Sequence, residues 1–452
     1  MVALRSARLE ALLGSRLEQV QYSQLMTLID NQVGEAFDLE FKRELYGNSD
    51  RERRDAATDV AALANTAGGL IIQGIDEDNQ ARATAAPGVP LTEAEERRIR
   101  QIVGSQVVPL PILDFLRVED PARPGHGLTL IAVPRSPLAP HAVIVNDGLR
   151  YPRRNGATTR YLSEPEVATA YRDRFATAHR QTDRAREIEA DALDRLATGD
   201  DQVWVVVSLV PDLRGDLVID QAALRSARTE LMGQQPMIMP TTLGWRRVNI
   251  GRRRLLADGT MNSEPQARWL SAELHDDGAG VFSAFVFSPG SSAISSNGDE
   301  PVIRPINDES AINGILSGLR FLGRHARDRA TAGGNALMRA QIYPVEPGQP
   351  LRLVHSRNGF MDSLGTHVLT DSPSPAERVA PLESLAADGP ELISAAYLLA
   401  TDVFQAFGWA EAAQLTREGQ VRLPYWNREW QQYMQPWAAS AGITTTEEML
   451  SG

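Results

Sequence analysis

Residues 64–78 read ANTAGGLIIQGIDED, and the first domain's architecture turns on this stretch. Gly68 and Gly69 permit the left-handed and tight-turn conformations in which a helix ends. Leu70 to Ile75 then read as a buried strand, closed by the acidic run Asp76-Glu77-Asp78. Upstream, Ser49-Asp50-Arg51-Glu52 fits a capping box opening a helix to about Thr66, with Ala57, Val60, Ala61 and Ala64 as its buried stripe. Before that helix, residues 35–42 read EAFDLEFK. Positions 38–45 alternate as a strand, with Leu39 and Phe41 on one face and Asp38, Glu40 and Lys42 on the other.

Lys42 is the only lysine in a chain with 45 arginines. A P-loop needs Gly-Lys-Ser/Thr, so that route to ATP chemistry is excluded, and a lysine Schiff base could use only Lys42. No GxSxG, HExxH or GxGxxG occurs, and the seven histidines lack metal-ligand spacing. Zero cysteines exclude disulfides, thiol nucleophiles and cysteine-ligated zinc, and fit a cytoplasmic location. No run approaches 18 apolar residues, and the N-terminal stretch, interrupted by Glu10 and Glu18, lacks a signal-peptide core; no membrane partner is expected. The formal charge of −12 argues against nonspecific coating of nucleic acid. Residues 1–196 carry 25 basic against 29 acidic residues, net −4, leaving −8 for the remainder, so the N-terminal part is the better place for a polyanion.

At 452 residues the expectation is an α+β protein of more than one domain. Residues 1–162 form the first domain, beginning with one or two amphipathic helices over 5–32. It continues with a helix from Thr92 to about Val107 and a strand over Leu128–Val133. Residues 163–199 read as a long charged helix, either a connector or a dimerising coiled coil with an imperfect heptad. Residues 200–452 read as a separate α+β domain. Its strands are expected at Val203–Val210, Leu337–Val345 and Leu351–His355, its long helices at Asp308–Arg327 and Glu391–Phe407. A hairpin is expected around Asp276-Asp277-Gly278, and a polar loop over 289–300.

If the strands containing Glu40 and ending at Asp76 are neighbours, their carboxylates converge with Glu35. Hard divalent ions take oxygen ligands and keep several waters, so two or three carboxylates suffice for a phosphodiester site, and a lysine beside them can stabilise phosphorane charge. Arg150, Arg153, Arg154 and Arg160 cluster around a Gly turn in LRYPRRNGATTR, and with Arg43 they are candidate phosphate contacts. The bland readings are acids capping strand ends and arginines solvating a hairpin.

The order Glu35, Leu39-Glu40-Phe41-Lys42, Ala64-Asn65-Thr66-Ala67-Gly68-Gly69 and Gly74-Ile75-Asp76 resembles the Schlafen/AlbA-like domain. Pro140-His141 and Tyr151 through Gly156 are similar to that family's later Pro-His and Tyr-x-Arg-x-Gly stretch, with one extra residue before the glycine. The resemblance covers roughly residues 20–175. It implies that Glu35, Glu40 and Asp76 hold Mn²⁺ or Mg²⁺ in a nuclease centre, as in animal Schlafen ribonucleases that cut tRNA and rRNA, with Lys42 stabilising charge. The expected function is therefore metal-dependent cleavage of structured, tRNA-like RNA, in phage defence or stress response, with RNA favoured over DNA. The animal enzymes double this domain into a clamp; the single copy here would need a homodimer or help from the second domain. The alternative is a noncatalytic DNA- or RNA-binding regulator, a role described for bacterial relatives, with residues 200–452 sensing or recruiting.

Overall fold

The structure is a computed structural model. It describes residues 4–146, 148–196, 202–238, 244–260, 268–286, 303–344, 348–357, 360–363, 368–369 and 374–450. The chain divides into two compact units, Met1–His179 and Arg180–Gly452, each with its own core. Among the described residues, no helix is long and apolar enough to cross a membrane.

The first unit runs α1 (Ala7–Leu13), α2 (Tyr22–Asp30), β1 (Leu39–Lys42), α3 (Asp50–Ala64), β2 (Gly68–Gln73), β3 (Asp76–Glu77), β4 (Ala83–Ala85), β5 (Val89–Pro90), α4 (Glu93–Gln106), β6 (Val107–Val108), β7 (Asp114–Glu119), β8 (His126–Pro134), β9 (Ala142–Val145), β10 (Gly148–Arg150), β11 (Pro152–Asn155) and β12 (Thr158–Tyr161). The central sheet has the order β1-β2-β8-β5, with β7 also on β8. β1 and β2 are parallel neighbours, as a strand–helix–strand unit requires, with Glu40 beside Ile71 and Lys42 beside Gln73.

Side-chain parity sorts this sheet into two apolar layers. Leu39, Phe41, Leu70 and Ile72 pack with Leu9, Leu13, Leu25 and Leu28 of α1 and α2. Ile71, Ile131 and Val133 pack with Val60, Ile99 and Ile102 of α3 and α4. Burial on both faces is why β2 reads as a continuous apolar run rather than an alternation.

The ends of these elements have local causes. Ser49 caps α3 in the expected capping box, its side chain accepting from Glu52 N while the Glu52 side chain accepts from Ser49 N. That helix ends at Ala64, two residues short of expectation, where Asn65 turns to other strands: Nδ2 donates to the carbonyls of His141 and Pro152, each at 2.8 Å, and Oδ1 accepts from His141 N at 2.6 Å. Gly69 is demanded by close backbone approach, because a Cβ there would stand 2.5 Å from Asp38 O. Strand β1 is shorter than the expected 38–45. Gly74 leaves β2 at φ +103°, and its N–H, donating to Lys42 O at 2.7 Å, marks where the two chains part.

A single helix, α5 (Glu164–Leu196), carries the chain across the division, which falls inside it between His179 and Arg180. Ala185, Ile188, Ala192 and Leu196 are buried against Trp204, Val206, Val210 and Val281 of the second unit's sheet, so that half of the apolar stripe is consumed within the chain. The sheet has seven antiparallel strands in the order Arg247–Gly251, Arg254–Thr260, Arg268–His275, Gly280–Phe285, Val203–Leu213, Gly333–Pro344 and Ala376–Pro381. The expected hairpin at 276–278 joins Arg268–His275 to Gly280–Phe285. Helices Asp308–Arg324 and Pro390–Gln405 fill the other face. The first ends three residues before the expected Arg327, where His325–Arg329 widen into a π turn. The expected loop at 289–300 lies outside the described residues.

Candidate functional site

Alternation along β1 decides which side chains meet. With Leu39 and Phe41 committed to the α1/α2 layer, Glu40 and Lys42 point to the side covered by α3. Glu40 is only 6% exposed. A carboxylate removed from water needs compensating charge, and Glu40 has two cations. Lys42 Nζ pairs with one oxygen, and Arg154 Nη1 of β11 donates to the other at 2.5 Å. Arg154 is itself buried and gives Nη2 to Ala36 O at 3.0 Å.

Lys42 also lies 3.3 Å from Asp59 Oδ2 of α3, which accepts the Tyr46 hydroxyl at 2.8 Å. An ammonium is a compact charge that fits between two carboxylates where a planar guanidinium is broader. Burial opposes the lysine charge, but Asp59 and then Glu40 outweigh it, and the Lys42 pKa is held above its ordinary value. Burial, helped by Asp59, keeps the Tyr46 hydroxyl protonated well beyond the usual range.

Glu35 approaches from the segment before β1 and accepts the Phe41 N–H at 2.7 Å. Burial, and next the charge of Glu40, push its carboxyl up to about 7, with Glu77 adding to the rise and the Phe41 N–H opposing it. Glu77, exposed on β3, is raised as well, by its partial desolvation and then by the charge of Glu40. Asp76, expected as the third acid, instead accepts from Arg43 Nη1 at 3.0 Å and from Glu77 N at 3.1 Å. The structure therefore brings Glu35, Glu40 and Lys42 together and adds Glu77 and Asp59. Among the described residues, no three acidic or histidine side chains are arranged as ligands of one ion.

The arginines divide by strand parity. Arg154 points inward to Glu40, whereas Arg153 and Arg160, paired across β11 and β12, are exposed. Arg160 is tied to Glu166 by two bonds, at 3.0 and 2.6 Å. Arg150 lies over the Tyr161 ring at 5.9 Å, and Arg43 is held by Asp76. Gln73 was not anticipated: it is fully buried, pairs in register with Lys42 and Thr129, and neither of its side-chain polar atoms has a protein partner. Its signal was a lone amide inside LIIQGI.

Residues 35–163 match the family model described as Schlafen, AlbA_2. The N-terminal domain is a Schlafen/AlbA_2 domain. No curated protein matches the chain. The DIP2311 protein from Corynebacterium diphtheriae is similar at 21% identity over 37% of this chain and 29% of its own, with a TM-score of 0.24. The N-terminal domain of a RecG-related protein from Nitrosomonas europaea is similar at 22% identity over 30% of this chain and 93% of its own, with a TM-score of 0.21. The chain thus spans under a third of the Corynebacterium protein's length.

Membership of this family suggests a nucleic-acid-related role for the AlbA_2 domain. The segment Asn65-Thr66-Ala67-Gly68-Gly69 serves its fold: besides the Asn65 bonds, Thr66 Oγ1 donates to Ala62 O at 2.7 Å and accepts from Arg154 N at 3.0 Å. A set of hard oxygen donors in which the charge of Glu40 raises the proton affinity of both Glu35 and Glu77 is one that a divalent cation would relieve. Mg²⁺ commonly uses only one or two carboxylates beside waters and substrate phosphate. Glu35 and Glu77 fit that description; Glu40 is already occupied by two cations.

Proposed function

We propose that the AlbA_2 domain is a divalent-metal-dependent nuclease acting on RNA. The observation that supports it is the electrostatic grouping of Glu35, just before β1, Glu40 and Lys42 on β1, and Glu77, on the segment that follows the parallel neighbour β2. Glu35 and Glu77 would hold Mg²⁺ or Mn²⁺, which lowers the pKa of a bound water and offsets charge developing on phosphate. Without metal the Glu35 carboxyl is pushed up to about 7, so a cation binding there would displace its proton near neutral pH. Lys42 stays charged throughout and presents a positive group to the phosphate, aimed by Glu40 and Asp59. RNA is favoured over DNA on the resemblance to the Schlafen ribonucleases.

A second reading, noncatalytic binding, is favoured by a different observation: Glu40 and Asp76 are already spent on Arg154, Lys42 and Arg43. The full chain incubated with labelled tRNA, single-stranded DNA and duplex DNA, in Mn²⁺ or in EDTA, separates the two. The nuclease reading expects RNA cleavage in Mn²⁺, none in EDTA, and a loss of at least about 100-fold in Glu35→Gln. Binding without cleavage in any metal leaves the regulator.

A further inference from the structure

The hairpin that sends Arg154 to Glu40 also borders an aromatic surface that the cleavage chemistry leaves unused. Phe175 of α5 is 71% exposed and Tyr161 of β12 is 46% exposed. Tyr171 stacks on Phe175, with centroids 6.3 Å apart and planes at 22°. It meets Tyr151 edge-on at 6.3 Å and 81°, their hydroxyls 3.4 Å apart. Tyr151 O accepts from Leu162 N at 2.8 Å, which continues the β11–β12 register, so Tyr151 shares a face of the hairpin with Arg153 and Arg160, while Tyr161, paired with Pro152, lies on the other face beneath the Arg150 guanidinium.

Single exposed apolar residues need no explanation, but three rings in a row on the face that carries Arg153 are a different surface. Arg150 and Arg153 have no acidic partner among the described residues. Residues 148–175 contain six arginines and three acids, a net of +3 inside a chain of net −12. A polyanion whose flat apolar groups are accessible complements both features. Bases in a duplex are stacked on one another, whereas unpaired bases can lie on aromatic faces while arginines follow the backbone.

We infer that this surface is a stacking platform for the unpaired bases of a single strand, Tyr171 and Phe175 taking bases and Arg153 taking phosphate. It rests on the nucleic-acid reading above and deepens it, because it names the state of the substrate. Adjacent positions on β11 face opposite ways, so a strand held by Arg153 lies on the hairpin whose next residue braces the Glu40–Lys42 pair.

Fluorescence anisotropy of the full chain in EDTA, with labelled rA12, dA12 and a dA12·dT12 duplex, tests this without any cleavage. Both single strands should bind more tightly than the duplex, since stacking uses the base and not the sugar. Tyr171→Ala and Phe175→Ala should each weaken both single strands about tenfold and leave the duplex within about twofold. Phe175→Trp, which keeps a ring, should retain binding. Arg153→Ala should weaken every probe and lower the salt slope by roughly one phosphate's worth. Wild-type affinity of both alanine ring variants for single strands, with Arg153→Ala still impaired, overturns the platform and leaves the nucleic-acid reading standing. Equal losses on single strands and duplex also overturn the platform. No binding of any probe by the wild type overturns both.

Discussion

Arg154 Nη1 donates to Glu40 Oε2 at 2.5 Å, joining two buried side chains that lie 114 residues apart in the sequence. The pair fastens the β11–β12 hairpin onto the central sheet, and it makes Arg154 a structural group rather than a surface contact. Truncating one partner of a buried pair strands the other, at about 3–5 kcal/mol. Arg154→Ala is therefore expected to lower the first unit's urea midpoint sharply, and Glu40→Gln in the same chain should recover part of the loss. Arg153→Ala, one residue away and exposed, should leave the midpoint within about 0.5 kcal/mol of wild type.

Glu35 gives a pH dependence with a defined sign. Its pKa is about 7 folded against an ordinary 4.5, so the folded chain binds more protons between those values. Stability contributed by this group is then present at low pH and falls as pH rises from about 4.5 through 7. Glu35→Gln retains an oxygen for the Phe41 N–H and cannot ionise. It should be the more stable protein at pH 8, by something on the order of 2 kcal/mol, and lose that advantage at pH 4.5. Denaturation midpoints of both proteins at the two pH values check this.

Lys42→Arg keeps the charge and changes its shape. The space between Glu40 and Asp59 suits an ammonium, so the arginine variant should fold yet lose roughly 10- to 100-fold in cleavage rate. Asp59→Asn, which loosens the same lysine from the α3 side, should lower cleavage while leaving single-strand affinity within about twofold.

The ANTAGG segment is expected to act on stability and not on nucleotide binding. Asn65→Ala removes three hydrogen bonds that hold the end of α3 to two other segments, and should cost about 2–4 kcal/mol. Gly69→Ala would press a Cβ to 2.5 Å from Asp38 O, so the first unit should be destabilised more still.

Much of the first unit was legible because its signals are local and periodic. Ser49 and Glu52 announce the start of α3, the alternation of β1 fixes which way Glu40 and Lys42 face, and the unbroken LIIQ of β2 announces a sheet covered on both sides. The α+β character of both units and the AlbA_2 domain follow from the same patterns. What was not legible depends on parity at irregular places or on distant partners. The register shift between Asp76 and Glu77 breaks the alternation of the DED run, so no periodicity tells which of its acids acts on Glu35 electrostatically. Arg154 and Arg153 read alike in sequence, and only the pairing of β11 with β12 separates the buried one from the exposed one. Asp59 sits on a helix face that otherwise reads as alanine packing, so its approach to Lys42 appears only once β1 lies beside β2.

The central claim is that Glu77, not Asp76, completes the carboxylate set with Glu35 and Glu40. The measurement that reaches it most directly is the single-turnover cleavage rate of one labelled single-stranded RNA in Mn²⁺ by wild type, Glu77→Gln and Asp76→Asn. Glu77→Gln should lose at least about 100-fold and Asp76→Asn should change by no more than a few-fold. The reverse order, or a wild-type protein that binds this RNA in Mn²⁺ and never cuts it, would contradict the account.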